Sequence, residues 1–269
     1  MKPISSRDNP LYKELKQLAS SSQARRQAGR TLLDGVHLCD AYLQRVGMPS
    51  LCVVSENCQT RAEIAAILAI CEAGQARCIV LPDPLYNALS QVEHGVGLLF
   101  VIDTPEVTVP TKLTQAAVML DKLQDPGNLG SILRSAAAAG IENVFCSNGT
   151  AFSWSPKVLR AGMGAHFLLN IFENVDLAAL LRGSEVPVLA TSSHAQQQIY
   201  ELDLARPVAW LFGHEGQGVA DDLLALATHQ VAIPHLGAME SLNVAASAAV
   251  CFFEQVRQKA MVGSKLGQQ

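Results

Sequence analysis

The chain has 269 residues, is 49% hydrophobic and carries a formal net charge of −4, enough for a substantial core and two modest domains. No run approaches the roughly 18 apolar residues of a membrane span, and the first residues lack the charged-then-apolar pattern of a signal segment, so the expectation is a soluble, cytoplasmic protein with no membrane partner. Seven cysteines, at positions 39, 52, 58, 71, 78, 146 and 251, form no Cys-x-x-Cys pair; they read as reduced core thiols, and with no His/Cys cluster at ligand spacing no metal is expected.

From the N-terminus onward the charge is uneven. Residues 1–30 hold Lys2, Arg7, Lys13, Lys16, Arg25, Arg26 and Arg30 against Asp8 and Glu14, a net +5, which leaves −9 on the other 239 residues. A basic arm on an acidic body is a local footprint for a polyanion, or equally a solvated amphipathic helix. Asp8-Asn-Pro10 opens a helix with Leu11, Leu15 and Leu18 on its apolar side. Short apolar runs then alternate with helical stretches: residues 31–33, a helix from Val36, 51–55, a helix from Thr60, 78–81 and 97–102. That is α/β order. Residues 103–111, with two prolines and no helical period, are the best linker. The expected division is a first domain over 1–103, a linker over 104–114, a second domain over 115–262 and a frayed polar tail over 263–269. In the second domain, strands are predicted near 117–120, 143–146, 167–171, 186–190, 208–212 and 230–233, with helices between most of them.

Three strand exits in the second domain are rich in glycine and polar residues, and open α/β sheets place ligand crevices at strand ends. The first, Asp125-Pro-Gly-Asn-Leu-Gly-Ser-Ile-Leu-Arg134, reads as a turn at Pro126 and Gly127 and a helix running to Gly140. Leu129, Ile132, Leu133 and Ala136 form its buried stripe, and Arg134 points away from them, near Gly130. Alone, Arg134 reads as an ordinary surface arginine. The second exit, Gly213-His-Glu-Gly-Gln-Gly-Val219, lets main-chain groups approach a ligand. Its Gly-x-x-Gly-x-Gly order, late in the domain and without a ribose-binding acid, is not the dinucleotide fingerprint. Glu215 inside it either orients an arginine or hydroxyl or is a solvated turn acid. The third exit, Ile233-Pro-His-Leu-Gly-Ala-Met-Glu-Ser-Leu-Asn-Val244, sets Glu240, Ser241 and Asn243 at the mouth of a helix. Residues 244–253 of that helix carry a full polar side chain only at Ser247, a pattern that predicts burial on every side. Ser241 is a good N-cap residue, so the segment reads with even weight as a capped core helix or as a helix end that holds an anion in a pocket.

Taken together, Asp125-Pro-Gly-Asn-Leu-Gly-Ser-Ile-Leu-Arg-Ser-Ala136, Leu211-Phe-Gly-His-Glu-Gly-Gln-Gly218 and the segment from Ile233 to Val244 resemble, in order and spacing, the three motifs of the SpoU-type (TrmH-like) RNA 2′-O-ribose methyltransferases of the SPOUT superfamily. Ile4-Ser-Ser-Arg-Asp-Asn-Pro10, Lys13, Leu18 and Asp34-Gly35 look, less specifically, like that family's N-terminal substrate-binding domain. The resemblance implies an α/β fold: a C-terminal SPOUT domain, a parallel sheet flanked by helices and tied in a deep trefoil knot, with a small N-terminal α/β domain resembling the ribosomal-protein L30e-like fold. Knots are rare exceptions to the usual topology rules. It further implies S-adenosylmethionine held among the knot loops by Gly213, Ile233 and Leu242, with Thr191, Gly218 and Pro234 beside them, and a homodimer that packs the knotted domains together.

By the same resemblance Arg134 is the catalytic arginine, and Asn128, Glu215, Ser241 and Asn243 position it and the ribose; Lys13, Arg25 and Arg26 of the basic arm, with Lys157 and Arg160, are expected to contact RNA. The reaction implied is attack of a ribose 2′-hydroxyl on a sulfonium methyl group, which requires no metal. The family's arginine is often assigned as general base; because a guanidinium stays protonated in proteins, the role expected for Arg134 is to orient the 2′-hydroxyl and the adjacent phosphate, to which the proton can pass. The expected substrate is structured RNA, ribosomal rather than transfer RNA, since a folded N-terminal domain accompanies the knot. A transfer-RNA ribose or RNA base methyltransferase with the same knot is one alternative. A non-catalytic RNA-binding assembly factor is another, against which the complete set of Arg134, Glu215, Ser241 and Asn243 argues. The chain departs from the family pattern at Asp34, where glutamate is more usual, at Gly162, where a hydroxyl residue is common nearby, and at His235, which replaces an apolar residue.

Overall fold

The computed structural model describes residues 1–91 and 96–266. They form two compact units, Met1–Glu106 with Trp154–Phe167, and Val107–Ser153 with the rest of the chain from Leu168.

In the first unit β1 (Lys2–Pro3) leads to α1 (Pro10–Ser20). Asn9 caps this helix by accepting the Leu11 N–H at 3.0 Å, and Pro10 occupies the first turn, where its missing N–H costs nothing. Tyr12, Leu15, Leu18 and Ala19 give α1 its buried face. There follow α2 (Ser22–Ala28), β2 (Arg30–Asp34), α3 (Val36–Arg45), β3 (Leu51–Ser55), α4 (Ala62–Ala73), β4 (Cys78–Leu81), α5 (Asp83–Asn87) and β5 (Leu98–Asp103). The sheet runs β1-β4-β3-β5-β2; β1, β4 and β3 are parallel, while β5 lies antiparallel to both β3 and β2. α1 packs its apolar face on this sheet, where Leu15 and Leu18 share one core with Val53, Ile79, Leu81 and Leu99.

The second unit and its inserted segment continue with β6 (Ala117–Leu120), α6 (Pro126–Ala138), β7 (Asn143–Ser147), α7 (Pro156–Gly162), β8 (Asn170–Val175), α8 (Leu177–Arg182), β9 (Val188–Thr191), β10 (Gln197–Gln198), β11 (Ala209–Phe212), α9 (Asp221–Leu224), β12 (His229–Ala232) and α10 (Val244–Leu266). All seven strands are parallel, in the order β10-β12-β9-β11-β6-β7-β8. β6 and β11 are buried along their whole length. A parallel strand covered on both faces needs such an unbroken apolar run rather than alternation. All seven cysteines are free and buried.

Four sequence expectations change. The strand expected at 167–171 begins only at Asn170, because residues 165–168 form a short 3-10 turn. That turn belongs to the 154–167 stretch, which the sequence places in the second domain but whose contacts group it with the first unit. The Thr31 hydroxyl donates to the Trp154 carbonyl at 2.6 Å, and α7 buries Val158 and Leu159 completely. The tail expected to fray from Gly263 is helical to Leu266, and residues 267–269 lie outside the described residues. Of the expected linker, residues 104–112 form no helix or strand, whereas Leu113 is buried in the core of the second unit.

Candidate active site

A wholly parallel sheet brings the C-terminal ends of its strands to one edge. β12, β9, β11 and β6 are immediate neighbours there, so the segments that leave them converge. The segments leaving β9, β11 and β12 enclose a cavity of about 870 Å3, lined by residues 191–194, 212–219 and 240–242 together with Ile233 and His235. Of the expected cofactor contacts, Thr191, Gly213, Gly218, Ile233 and Leu242 are in its wall; Pro234, between two lining residues, is not.

The loop after β11 is folded tightly on itself. His214 and Gly218 exchange main-chain hydrogen bonds, N–H to carbonyl, at 2.9 and 2.8 Å. Gly218 sits at φ +73°, which favours glycine, and Gly213 has no room for a side chain: a Cβ there would stand 2.0–2.1 Å from the Gly218 carbonyl group and the Val219 nitrogen.

Glu215 leaves this loop toward α6. Its Oε1 accepts the Asp125 N–H at 3.0 Å and the Asn128 side-chain amide at 3.2 Å, and Oε2 accepts the Gln124 N–H at 3.3 Å. Partial burial pushes the carboxyl pKa up, but the hydrogen bonds, those from the main chain first, outweigh it and hold Glu215 below the ordinary glutamate range. A depressed value means the clamp is intact at neutral pH and is lost only as pH falls through that lowered value. Asn128 passes the contact on, its Oδ1 accepting the Asn243 amide at 2.9 Å. Asn243 in turn caps α10, its Oδ1 accepting the N–H groups of Ala245 at 2.9 Å and Ala246 at 3.2 Å. One chain of side chains, Glu215, Asn128 and Asn243, thus ties the three strand exits together.

Several expectations are corrected here. Pro126 and Gly127 are not a turn before α6 but its first residues, capped by Asp125, which accepts the Asn128 N–H at 2.8 Å. The N-cap of α10 is Asn243 rather than Ser241; Ser241 lies before the helix, exposed in the cavity wall. Nor is α10 buried all round. Ala248, Cys251, Phe252 and Gln255 face the core, while Phe253 is 47% and Met261 55% exposed. Arg134 stands exposed on α6, makes no hydrogen bond or ion pair with any described residue, and is not part of the cavity wall.

Arg25, expected to contact RNA, is 6% exposed; its Nη1 donates to the Leu18 carbonyl at 2.6 Å and the Ala19 carbonyl at 3.4 Å, closing the end of α1. Lys13 (paired with Asp8 at 3.0 Å), Arg26 and Lys157 are exposed, and Arg160 is half-buried. The sequence reading missed two residues. Asp121, 4% exposed just beyond β6, accepts the Ser147 hydroxyl at 3.1 Å and the Ala220 N–H at 3.2 Å, so it anchors the far end of the glycine loop. Its signal was an acid directly after four apolar strand residues. His214, in the cavity wall, is the other.

Glycine loops and a capped helix end gathered at one edge of a parallel sheet, where the strand order doubles back, define an α/β domain built to hold a small molecule beside a polar surface. The chain belongs to the SpoU rRNA Methylase family, whose profile matches residues 115–253. It is 34% identical to an uncharacterized tRNA/rRNA methyltransferase of Synechocystis over 95% of this chain and 94% of that one. It is 29% identical to the 23S rRNA (guanosine(2553)-2′-O)-methyltransferase RlmP of Bacillus subtilis, over 94% and 98% of the two chains. A solved RNA 2′-O ribose methyltransferase superposes with a TM-score of 0.80 at 30% identity, covering 96% of this chain and 99% of the other.

Proposed function

We propose that the protein transfers a methyl group from S-adenosylmethionine to the 2′-hydroxyl of a specific ribose in structured ribosomal RNA. The observation that carries this is the hydrogen-bonded chain from Glu215 through Asn128 to Asn243, which ties the first family motif to the second and third, the two that wall the cavity. The full-length match to a relative named for a ribose of 23S rRNA supports ribosomal over transfer RNA.

The residues present fit the cofactor. The cavity sets apolar Leu224, Val231 and Ile233 beside the hydroxyls of Thr191, Ser192 and Ser241 and the open main chain of residues 213–218, the mixture that an amphipathic nucleoside with an amino-acid tail requires. When bound, it supplies an electrophilic methyl group. The protein's own part is alignment. Glu215 and Asn128 fix the start of α6, and Arg134, two turns on, offers a planar set of donors to the ribose hydroxyl and its phosphate. The reading includes the trefoil knot that the family implies, in a sheet where β11 lies between β9 and β6. The exposed candidates for RNA contact, Lys13, Arg26 and Lys157, all lie in the first unit, which supports that unit as the RNA-binding part. An RNA substrate and buried, reduced cysteines agree with a cytoplasmic setting.

Mapping methyl groups in ribosomal RNA from cells with and without the protein tests the function. One ribose O2′ should lose its methyl when the protein is absent; a methyl lost from a base, or none lost, would overturn the assignment.

The active form is a homodimer in this reading. On α10, Ala246, Val250, Phe253 and Met261 recur at helical spacing along the face that the core leaves uncovered. Phe253→Lys is expected to turn a dimer into a monomer at micromolar concentration, by light scattering, while the monomer stays folded. A wild-type protein that is already monomeric would end the idea.

A further inference from the structure

His214 stands immediately after Gly213, half-buried in the cavity wall. Besides the main-chain bonds that close the loop onto Gly218, its side chain folds back over the same loop. Nδ1 accepts the N–H of Gly216 at 3.0 Å and the N–H of Gln217 at 3.3 Å. An acceptor on residue i for the N–H groups of i+2 and i+3 is the part that Asn, Asp and Ser take in capped turns. Here an imidazole takes it, and a ring nitrogen that accepts carries no proton. The tautomer that fits these two contacts carries its proton on Nε2.

Two glycines, at 216 and 218, leave this stretch of main chain free to adopt other shapes. The side-chain acceptor adds two bonds to the main-chain pair that holds one of them. A protonated imidazole has a donor at Nδ1, aimed at two other donors, so protonation removes the brace and replaces it with repulsion.

We propose that His214 is a positioning residue for the cofactor: its neutral ring pins residues 216 and 217, shapes the cavity wall, and makes cofactor affinity depend on the imidazole being unprotonated. The inference rests on reading the cavity as the S-adenosylmethionine site. Other titratable groups face the same space: Glu215 within the loop, Asp221 on α9, His194 after β9, and His235 and Glu240 after β12. The test must therefore separate the proton of His214 from theirs.

The test is calorimetric titration of the full chain with S-adenosylmethionine at about pH 8 and about pH 5.5. Wild-type affinity should fall about tenfold or more at the lower pH. His214→Ala, with no brace to lose, should stay at both pH values about tenfold below wild type at pH 8. His214→Asn, whose Oδ1 offers the same acceptor without titrating in this range, should restore most of the affinity and flatten the pH dependence. An alanine variant that binds like wild type at pH 8, or an asparagine variant that is as weak as alanine or keeps the wild-type pH dependence, would overturn the proposal. Should the alanine variant not fold, the pH profiles of wild type and His214→Asn decide alone. A wild-type protein that binds no cofactor at either pH would sink the cofactor assignment and this inference together, an outcome distinct from the others.

Discussion

Arg134→Ala should reduce methyl transfer by a factor on the order of 10² to 10³, the usual cost of deleting one fixed donor from a reacting centre, while leaving cofactor binding within about threefold of wild type. The separation follows from where the side chain stands. It is absent from the cavity wall and makes no hydrogen bond or ion pair with a described residue, so its removal takes nothing from the cofactor or from the fold. A surface substitution of this kind changes stability by about 0.5 kcal/mol or less. In the proposed mechanism, an arginine on a helix whose start is clamped by Glu215, and unpaired among the described residues, is a donor whose partner arrives with the substrate. Arg134→Lys keeps the charge but loses the planar fork, and should recover only part of the rate. Single-turnover methylation of ribosomal RNA, with a parallel cofactor titration, measures both quantities. Unchanged turnover in Arg134→Ala would remove this residue from the mechanism.

The second unit was legible where local pattern decides. β6 and β11 are apolar runs bounded by polar residues, and such runs are strands in a covered parallel sheet. The first unit was legible in its alternation of elements but not in the reversal of β5, since strand direction depends on partners far away in sequence. Long-range packing also explains the other differences. Arg25 and Arg26 are neighbours of equal charge, and only the position of the end of α1 decides that Arg25 is the one turned inward onto the Leu18 carbonyl. Trp154 and α7 join the first unit because β2 offers Thr31 to the Trp154 carbonyl, a contact spanning 123 positions. For α10, an apolar helical period does not distinguish a buried face from an exposed one, and Ala248 and Phe252 are buried while Phe253 is left exposed. Ser241 and Asn243 are equally good caps by composition; Asn243 wins because its amide is also held by Asn128. The site itself was readable as three motifs, but the side chain that links them, Glu215, revealed its partners only in three dimensions.

The three glycines of the 213–218 loop should respond to alanine in a fixed order, and Gly213→Ala should be by far the worst. At Gly216 the new Cβ would meet only the His214 ring, at 3.7 Å, which is ordinary contact. Gly216→Ala should therefore bind cofactor within about threefold of wild type. At Gly218 nothing lies within 4 Å, but φ is +73°, so alanine costs about 1–2 kcal/mol of backbone strain. Gly213 differs in kind: its Cβ would lie about 2 Å from the main chain of Gly218 and Val219, and main chain does not rotate aside as a flexible side chain does. Relief requires the loop to leave β11, breaking the paired bonds between His214 and Gly218 and carrying Glu215 away from Asp125 and Asn128. An overpacked site costs about 1–3 kcal/mol in stability. The larger loss is functional, because the cavity wall and the clamp on α6 move together. Cofactor affinity in Gly213→Ala should fall by about a hundredfold or more, with a folded far-ultraviolet spectrum retained. If Gly213→Ala bound cofactor as tightly as Gly216→Ala, the close crossing of Gly213 over Gly218 would not be what shapes the cavity, and the glycine at 213 would need another reason.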